Sequence, residues 1–188
     1  MGIEIEKKYR LTREQYARLL GRLELVKATP VGRELEENTL YAGGALDQST
    51  EVLRLRRVGG RAILTYKRRF ASASAIKRHR EDETEVKDAR ALDMILEALG
   101  YRPALVYEKR RATWQVAGAE VVLDELPFGL FLEIEGDEQS IREAERLLEL
   151  ADVEAEMETY PALARRYGEQ RQPEGLIEAR FQMRLPNA

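Results

Sequence analysis

The sequence contains no cysteine and only one histidine. The first absence excludes disulfide bridges, thiolate metal sites and a cysteine nucleophile. The single histidine, His79, stands among Lys77, Arg78 and Arg80, and we interpret it as a surface residue rather than a catalytic base. Any metal ion must then be held by oxygen ligands, which favours hard ions such as Mg²⁺ or Mn²⁺.

Long apolar runs are also missing. None approaches the roughly 20 residues that a membrane-spanning helix needs. The N-terminus begins with a strand pattern and not with a secretory signal. We therefore expect a cytoplasmic protein without a membrane partner.

An excess of charge of one sign is the third absence. Charged residues make up 35% of the 188 residues, yet the formal net charge is only -3. This balance gives no electrostatic support to non-specific binding of nucleic acid or of an anionic membrane, so nucleic acid is not an expected partner. The length suits one domain, which we place at residues 1–170, with a C-terminal tail at 171–188.

Hydrophobic periodicity and turn residues predict an antiparallel α+β domain. Strands are predicted at 2–11, 33–41, 52–58, 62–69, 81–86, 105–116, 120–126 and 129–136. Helices are predicted after the capping boxes that begin at Thr12 and Ser140, after Asp88, and from Tyr160. The small polar stretch 71–75 predicts a mobile loop, and the tail is either a loosely held terminus or a short added element.

Nearly every predicted strand is half apolar and half ionic. In the first strand Glu4, Glu6 and Lys8 alternate with apolar residues such as Ile3 and Ile5, and later strands repeat the pattern. Two structures fit this alternation. The ionic faces could be the solvated side of an open sheet, or they could line a barrel whose apolar exterior is covered by helices.

A barrel with an ionic interior would favour a particular class of ligand. Arginine forks and lysine ammonium groups suit a polyanion such as a phosphate chain. Carboxylates cannot contact phosphate directly, so a divalent cation between the two is the economical explanation. A metal held by glutamates, with bases that neutralise the phosphates, is suited to phosphoryl chemistry.

The residues that carry these charges resemble a known family. Glu4-Ile5-Glu6-Lys7-Lys8 resembles the ExExK signature of the CYTH proteins, also called triphosphate tunnel metalloenzymes. Leu53-Arg54-Leu55-Arg56, Thr65-Tyr66-Lys67, the acidic run from Glu81, Lys109-Arg110-Arg111, Leu123-Asp124-Glu125 and Leu132-Glu133-Ile134-Glu135 follow in the family's order. The resemblance implies a closed eight-stranded antiparallel β-barrel with helices packed outside.

The resemblance also implies a site that binds a small-molecule triphosphate with Mg²⁺ or Mn²⁺. Carried over position by position, it assigns metal binding to Glu4, Glu6, Asp124, Glu133 and Glu135. It assigns substrate binding to Lys8, Arg54, Arg56, Lys67, Lys109 and Arg111. Catalytic roles go to Lys8, Glu83 and Asp124.

The chain departs from the family pattern in two places. Ala42 stands where many relatives have an acidic residue, and Glu158 stands where some have a lysine two residues before the equivalent of Tyr160. Arg165, Arg166 and Arg171 are candidates to replace that lysine.

The leading hypothesis is a metal-dependent triphosphatase acting on inorganic triphosphate, with nucleoside and thiamine triphosphate as other substrates. One alternative is a class IV adenylyl cyclase that makes cyclic AMP from ATP. The other is a non-catalytic module that binds polyphosphate or a nucleotide. A homodimer is left open.

Overall fold

The computed structural model describes residues 2–71, 75–171 and 175–182, so 72–74 of the predicted loop lie outside the described part. The first eight strands are β1 (Gly2–Leu11), β2 (Thr29–Gly43), β3 (Glu51–Val58), β4 (Arg61–Arg69), β5 (Ile76–Glu85), β6 (Tyr101–Val116), β7 (Ala119–Leu126) and β8 (Gly129–Glu135). Two short strands follow, β9 (Glu169–Arg171) and β10 (Leu176–Ala179). The helices are α1 (Arg13–Leu25), α2 (Ala89–Ala98), α3 (Glu138–Leu147) and α4 (Tyr160–Tyr167).

Eight strands form a closed antiparallel barrel, as predicted. Their order is β2-β3-β4-β5-β1-β8-β7-β6, and pairing of β6 with β2 completes the circle. Gly59 and Gly60 connect β3 to β4 with positive φ angles of 55° and 80°, which the tight hairpin turn requires. Closure pairs both edges of the sheet.

The outer face of the barrel is apolar, and helices cover it. Tyr9, Leu123 and Ile134 project outward from three adjacent strands and pack beneath α1 and α3. On the other side Leu55 packs with Leu96 of α2. The two outer cores therefore leave the opposite, ionic side of each strand facing inward.

The helix starts follow the predicted signals in three of four cases. Thr12 accepts a hydrogen bond from the Gln15 amide and completes a capping box, while Asp88 and Thr159 cap α2 and α4. The predicted capping box at Ser140 is wrong. Asp137 caps α3 instead, because its carboxylate accepts the hydrogen bond of the Ser140 amide, and the helix begins at Glu138.

Part of the tail forms a short added element. β10 runs parallel to β6 and pairs with residues 105–107, next to the segment of β6 that pairs with β7. Arg180, just after β10, contacts Glu37, Glu108 and Glu178. In the described part of the chain, no helix is long and apolar enough to cross a membrane.

Candidate functional site

The barrel interior contains a cavity of about 310 Å³. It collects residues from all eight barrel strands and from the start of α4. The site residues proposed from the sequence that line it are Glu4, Glu6, Lys8, Arg54, Arg56, Lys67, Glu83, Lys109, Arg111, Glu133 and Glu135. The remaining one, Asp124, is fully buried beside this lining.

Strand pleating explains why these residues converge. Successive side chains of a strand point to opposite faces, so Leu55 enters the core under α2 while Arg54 and Arg56 point into the barrel. The ionic faces therefore line the barrel interior, and the open-sheet alternative is excluded.

At one part of the cavity, carboxylates surround a lysine. The Lys67 ammonium lies 2.8 Å from a Glu81 oxygen, 3.1 Å from a Glu4 oxygen and 3.7 Å from a Glu6 oxygen. Burial disfavours the charged ammonium, but the three carboxylates outweigh it and raise the pKa of Lys67 above its usual value. The ammonium thus occupies a position where carboxylate oxygens favour a cation.

Glu135 adds a further carboxylate to this part of the cavity. It pairs in register with Glu6 on β1 and with Glu120 on β7. Burial, and next the nearby Glu4 carboxylate, raise the pKa of Glu135 to about 7. Negative charge is therefore incompletely compensated here, which favours binding of an additional cation.

Arginine and lysine dominate another part of the wall, around Arg111. Its Nε and Nη2 donate hydrogen bonds of 2.8 and 2.6 Å to the two oxygens of Asp124, and Nη2 also lies 2.6 Å from Glu133. The Lys109 ammonium lies 3.6 Å from Asp124. Burial opposes ionisation of Asp124, but Arg111 and Lys109 hold its pKa well below the usual range.

Arg54 and Arg56 enter the cavity from β3 and share one carboxylate. The Glu83 oxygens lie 3.4 Å from Arg54 and 3.1 Å from Arg56. Thr65 donates a hydrogen bond of 2.6 Å to the same Glu83. Arg54 also lies 3.6 Å from Glu81, and Arg56 lies 3.9 Å from Glu36. The Glu83 carboxylate that bridges the two guanidinium groups is exposed, so an incoming anion can compete with it for their donors.

Lys8 is buried in the wall, 2% exposed, with its ammonium 4.2 Å above the Tyr160 ring. Burial lowers the pKa of Lys8 to about 8, against the opposing influence of Glu133. A lysine with this pKa exchanges a proton near neutral pH, as a general acid requires.

The prediction that His79 lies at the surface is wrong. The side chain is 2% exposed, and Nε2 lies 3.1 Å from Glu6 in poor alignment for a hydrogen bond. His79 is in register with Arg69 on β4 and with Glu4 on β1. Its neighbours Arg78 and Arg80 point outward because they occupy the opposite parity of β5.

Sequence reasoning missed a buried carboxylate on β2. Glu36 is 1% exposed and lies 3.3 Å from Lys109 and 3.9 Å from both Arg56 and Arg111. Burial opposes its ionisation, but the three bases lower the pKa of Glu36. The alternation of Glu36, Asn38 and Leu40 could have indicated an inward-facing carboxylate. The nearby acidic residues Glu34 and Glu37 make that pattern hard to recognise in the sequence.

Two further site features come from α4. Tyr160 donates a hydrogen bond of 2.9 Å to Asp124, and Arg165, one turn after Pro161, lines the cavity. Arg166 instead forms an ion pair of 2.7 Å with Glu158. Of the candidates to replace the absent lysine, Arg165 therefore lies at the cavity and Arg166 is engaged outside it, while the side chain of Arg171 lies outside the described part of the structure.

The donor chemistry of the interior fits a hard divalent cation, since the described side chains that line it offer mainly carboxylate oxygens, with one histidine. Among the described residues, however, no three acidic or histidine side chains are already arranged around one point. Lys67 separates Glu4, Glu6 and Glu81. Binding of a metal at Glu4 and Glu6 therefore requires the Lys67 ammonium to withdraw.

The chain is similar to a known protein family and to several solved structures. The model of the CYTH domain family matches residues 2–164. One protein from Pyrococcus horikoshii OT3 has a TM-score of 0.68 and 26% identity, covering 80% of this chain and 94% of its own. Another from the same organism has a TM-score of 0.67 and 27% identity, covering 85% and 97%.

A protein from Hippeastrum, described as a candidate adenylyl cyclase with a dominant triphosphatase activity, is 18% identical. Its TM-score is 0.66, covering 88% of this chain and 96% of its own. At that identity the similarity shows the fold. Among curated protein sequences none matches this chain significantly.

Proposed function

The chain belongs to the CYTH domain family, and we propose that it is a divalent-metal-dependent hydrolase that cleaves the terminal phosphoanhydride bond of inorganic triphosphate. The observation that carries this proposal is the cavity itself. Arginine and lysine side chains from four strands and from α4 converge on a space of about 310 Å³ that also contains a group of carboxylates. A small polyanion bound together with a cation satisfies both sets of charges.

In this proposal, Arg54, Arg56, Lys109 and Arg111 bind the phosphate oxygens. Each is now paired with a carboxylate inside the barrel. Buried ion pairs pay a large desolvation cost, so a ligand with a higher negative charge than one carboxylate competes well for the same donors. Lys67 joins this group when it leaves Glu4 and Glu6.

Glu4, Glu6, Glu133 and Glu135 hold the Mg²⁺ or Mn²⁺ ion in this proposal. When bound, such an ion polarises a phosphoryl oxygen and lowers the pKa of a water molecule. Support comes from the oxygen-only donor set around Lys67 and from the raised pKa of Glu135. When the metal ion replaces the Lys67 ammonium beside Glu4 and Glu6, the carboxylates keep a positive partner.

The catalytic roles of Lys8, Glu83 and Asp124 remain predictions. Lys8, with its pKa near 8, is suited to donate a proton to the leaving phosphate oxygen. Glu83 accepts a hydrogen bond from Thr65 and can orient the attacking water. Both oxygens of Asp124 accept hydrogen bonds from Arg111. These contacts favour a role for Asp124 in positioning the Arg111 guanidinium.

The aromatic side chains favour a substrate that is mostly phosphate. Tyr41 donates its hydroxyl to Asp93 on α2, and Trp114 packs against the outer core. Tyr107 is 2% exposed. Tyr41 and Tyr107 line the cavity but are nearly fully buried, and Trp114 lies on the outer face, so these rings expose little surface for stacking of a nucleobase, which weighs against ATP as the preferred substrate and against the cyclase.

A phosphate-release assay with Glu6→Gln tests the proposal. With triphosphate and Mn²⁺ we expect wild-type turnover, no turnover after chelation of the metal, and a rate for Glu6→Gln reduced by about 10²-fold or more. Glu14→Gln, on the exposed face of α1, is the matched control and should keep the wild-type rate. Unchanged activity of Glu6→Gln would remove this residue from the metal site, and absence of wild-type turnover would refute the hydrolase.

A further inference from the structure

Helix α2 has an exposed apolar face as well as a buried one. Leu92 and Leu96 pack on the barrel around Tyr41 and Leu55. On the opposite side of the helix, Ala91, Met94, Ile95 and Ala98 are exposed, and Leu99 extends the same side at the C-cap. The exposed fractions of Met94, Ile95 and Leu99 are 64%, 56% and 63%.

These residues form one stripe. Spacings of three and four residues bring side chains to the same face of a helix, so the exposed residues are contiguous. A surface helix normally presents polar residues there, and an apolar stripe marks an interaction surface. We call Ala91, Met94, Ile95 and Ala98 the α2 face.

We propose that the α2 face binds the same face of a second copy of this chain, with the two helices antiparallel about a two-fold axis. The order of side-chain sizes is small, large, large, small, and it reads the same in both directions. The two-fold axis then places Ala91 opposite Ala98 of the second copy and Met94 opposite Ile95. The alanines at both ends allow the helices to approach closely.

The charges beside the α2 face support the same arrangement. Arg90 and Glu97 are exposed and lie two turns apart on one flank of the stripe. Neither forms an ion pair within the described part of the chain, unlike Asp93, which lies 3.0 Å from Arg57. The antiparallel pair places Arg90 and Glu97 of the second copy on the same side of the helix pair, twice, whereas a parallel two-fold pair places the two charged flanks on opposite sides.

The interface is independent of the cavity. No residue of α2 lines the cavity. A contact made mainly by one helix pair is smaller than the roughly 1,600 Å² of a standard stable interface, so the dimer should be weak and concentration-dependent. Dimerisation through this face therefore leaves the residues that line the cavity unchanged.

Sedimentation velocity of the full-length protein, at concentrations from about 10 μM to about 1 mM, tests the proposal. We expect the wild type to shift from monomer to dimer over this range. Ile95→Lys should remain monomeric with wild-type triphosphatase activity and thermal stability, because the side chain is exposed. Leu25→Lys, at an exposed apolar position of α1, is the matched control and should dimerise normally.

Charge reversal tests the antiparallel pairing itself. Arg90→Glu or Glu97→Arg alone should weaken the dimer at least tenfold, and the double variant should restore it. Failure of the double variant to restore association, or a dimer that persists in Ile95→Lys, overturns the proposal. A wild type that stays monomeric also overturns it, and if removal of residues 183–188 then permits association, the occupant of the face is the chain's own C-terminal segment.

Discussion

At the scale of single residues, Arg111 joins three carboxylates of the cavity wall. Its guanidinium contacts Asp124, Glu133 and Glu36. Asp124 is fully buried, so its charge depends on this partner, with Lys109 farther away at 3.6 Å. The residue assigned to phosphate binding therefore also stabilises the empty barrel.

Arg111→Ala should reduce the free energy of unfolding by about 3–5 kcal/mol, because removal of one member of a buried pair leaves an uncompensated charge. Urea denaturation measures the change. Arg110→Ala is the matched control, since Arg110 pairs with Glu125 outside the barrel and should contribute about 1 kcal/mol or less. Equal losses for the two variants would contradict the buried pairing of Arg111 with Asp124.

Arg165→Ala tests the contribution of α4 to substrate binding. Arg165 lines the cavity and forms no ion pair among the described residues, so its removal should raise KM for triphosphate by about 5-fold to 20-fold with little change in kcat or stability. Arg166→Ala, which removes the contacts with Glu158 and Tyr167 outside the cavity, should leave both constants unchanged. A normal KM for Arg165→Ala would exclude it as the substitute for the lysine that Glu158 replaces.

At the scale of elements, β10 holds α4 against the barrel. Ile177 and Ala179 pack with Leu163 and Ala164, and α4 in turn carries Tyr160. Arg180 fixes the end of β10 through contacts of 2.5 Å with Glu37, 3.0 Å with Glu108 and 3.1 Å with Glu178. The tail thereby supports the wall that places Tyr160 against Asp124.

Arg180→Ala should cost about 1–2 kcal/mol of unfolding free energy, because charge-assisted hydrogen bonds are lost at a partly exposed site. Amide hydrogen exchange should accelerate first in β10 and α4. The surface variant Arg142→Ala, which removes an exposed pair with Glu138 on α3, is the control and should change neither. Unaltered exchange in β10 would show that Arg180 does not hold the tail.

Most of the barrel and of its inward charges could be predicted from strand periodicity, because one parity of each strand must face the helices. The failures have local causes. His79 was misjudged from its neighbours in the sequence, although only its parity with Glu81 decides its direction. Glu36 was hidden among adjacent acids, and the pairing of β10 with β6 depends on contacts between distant segments that periodicity does not report.

At the scale of the whole molecule, a closed barrel with an ionic interior couples stability to pH. Glu36 and Asp124 have folded-state pKa values below their ordinary values of 4.5 and 3.8. The unfolded state therefore binds protons more readily than the folded state. The stabilisation that the two carboxylates contribute is complete above about pH 5 and is lost as pH falls through their folded-state pKa values.

The stabilisation that these two carboxylates contribute should therefore fall as pH decreases below about 5. Glu36→Gln should be less stable than the wild type at pH 6, and the difference should shrink as pH falls below the ordinary pKa of 4.5, because the unfolded state then takes up a proton more readily than the buried carboxyl. Urea denaturation at each pH measures both curves. A constant difference between them at all pH values would show that Glu36 is not ionised in the folded barrel.

Hydrolysis of triphosphate in the ionic interior can be measured by ³¹P NMR of the pure protein, incubated with Mg²⁺ or Mn²⁺ and separately with triphosphate and ATP. We expect orthophosphate and pyrophosphate from triphosphate. Pyrophosphate with a cyclic phosphodiester signal from ATP, and no cleavage of triphosphate, would identify the cyclase instead. Unchanged spectra in both samples would refute the hydrolase and favour a binding role.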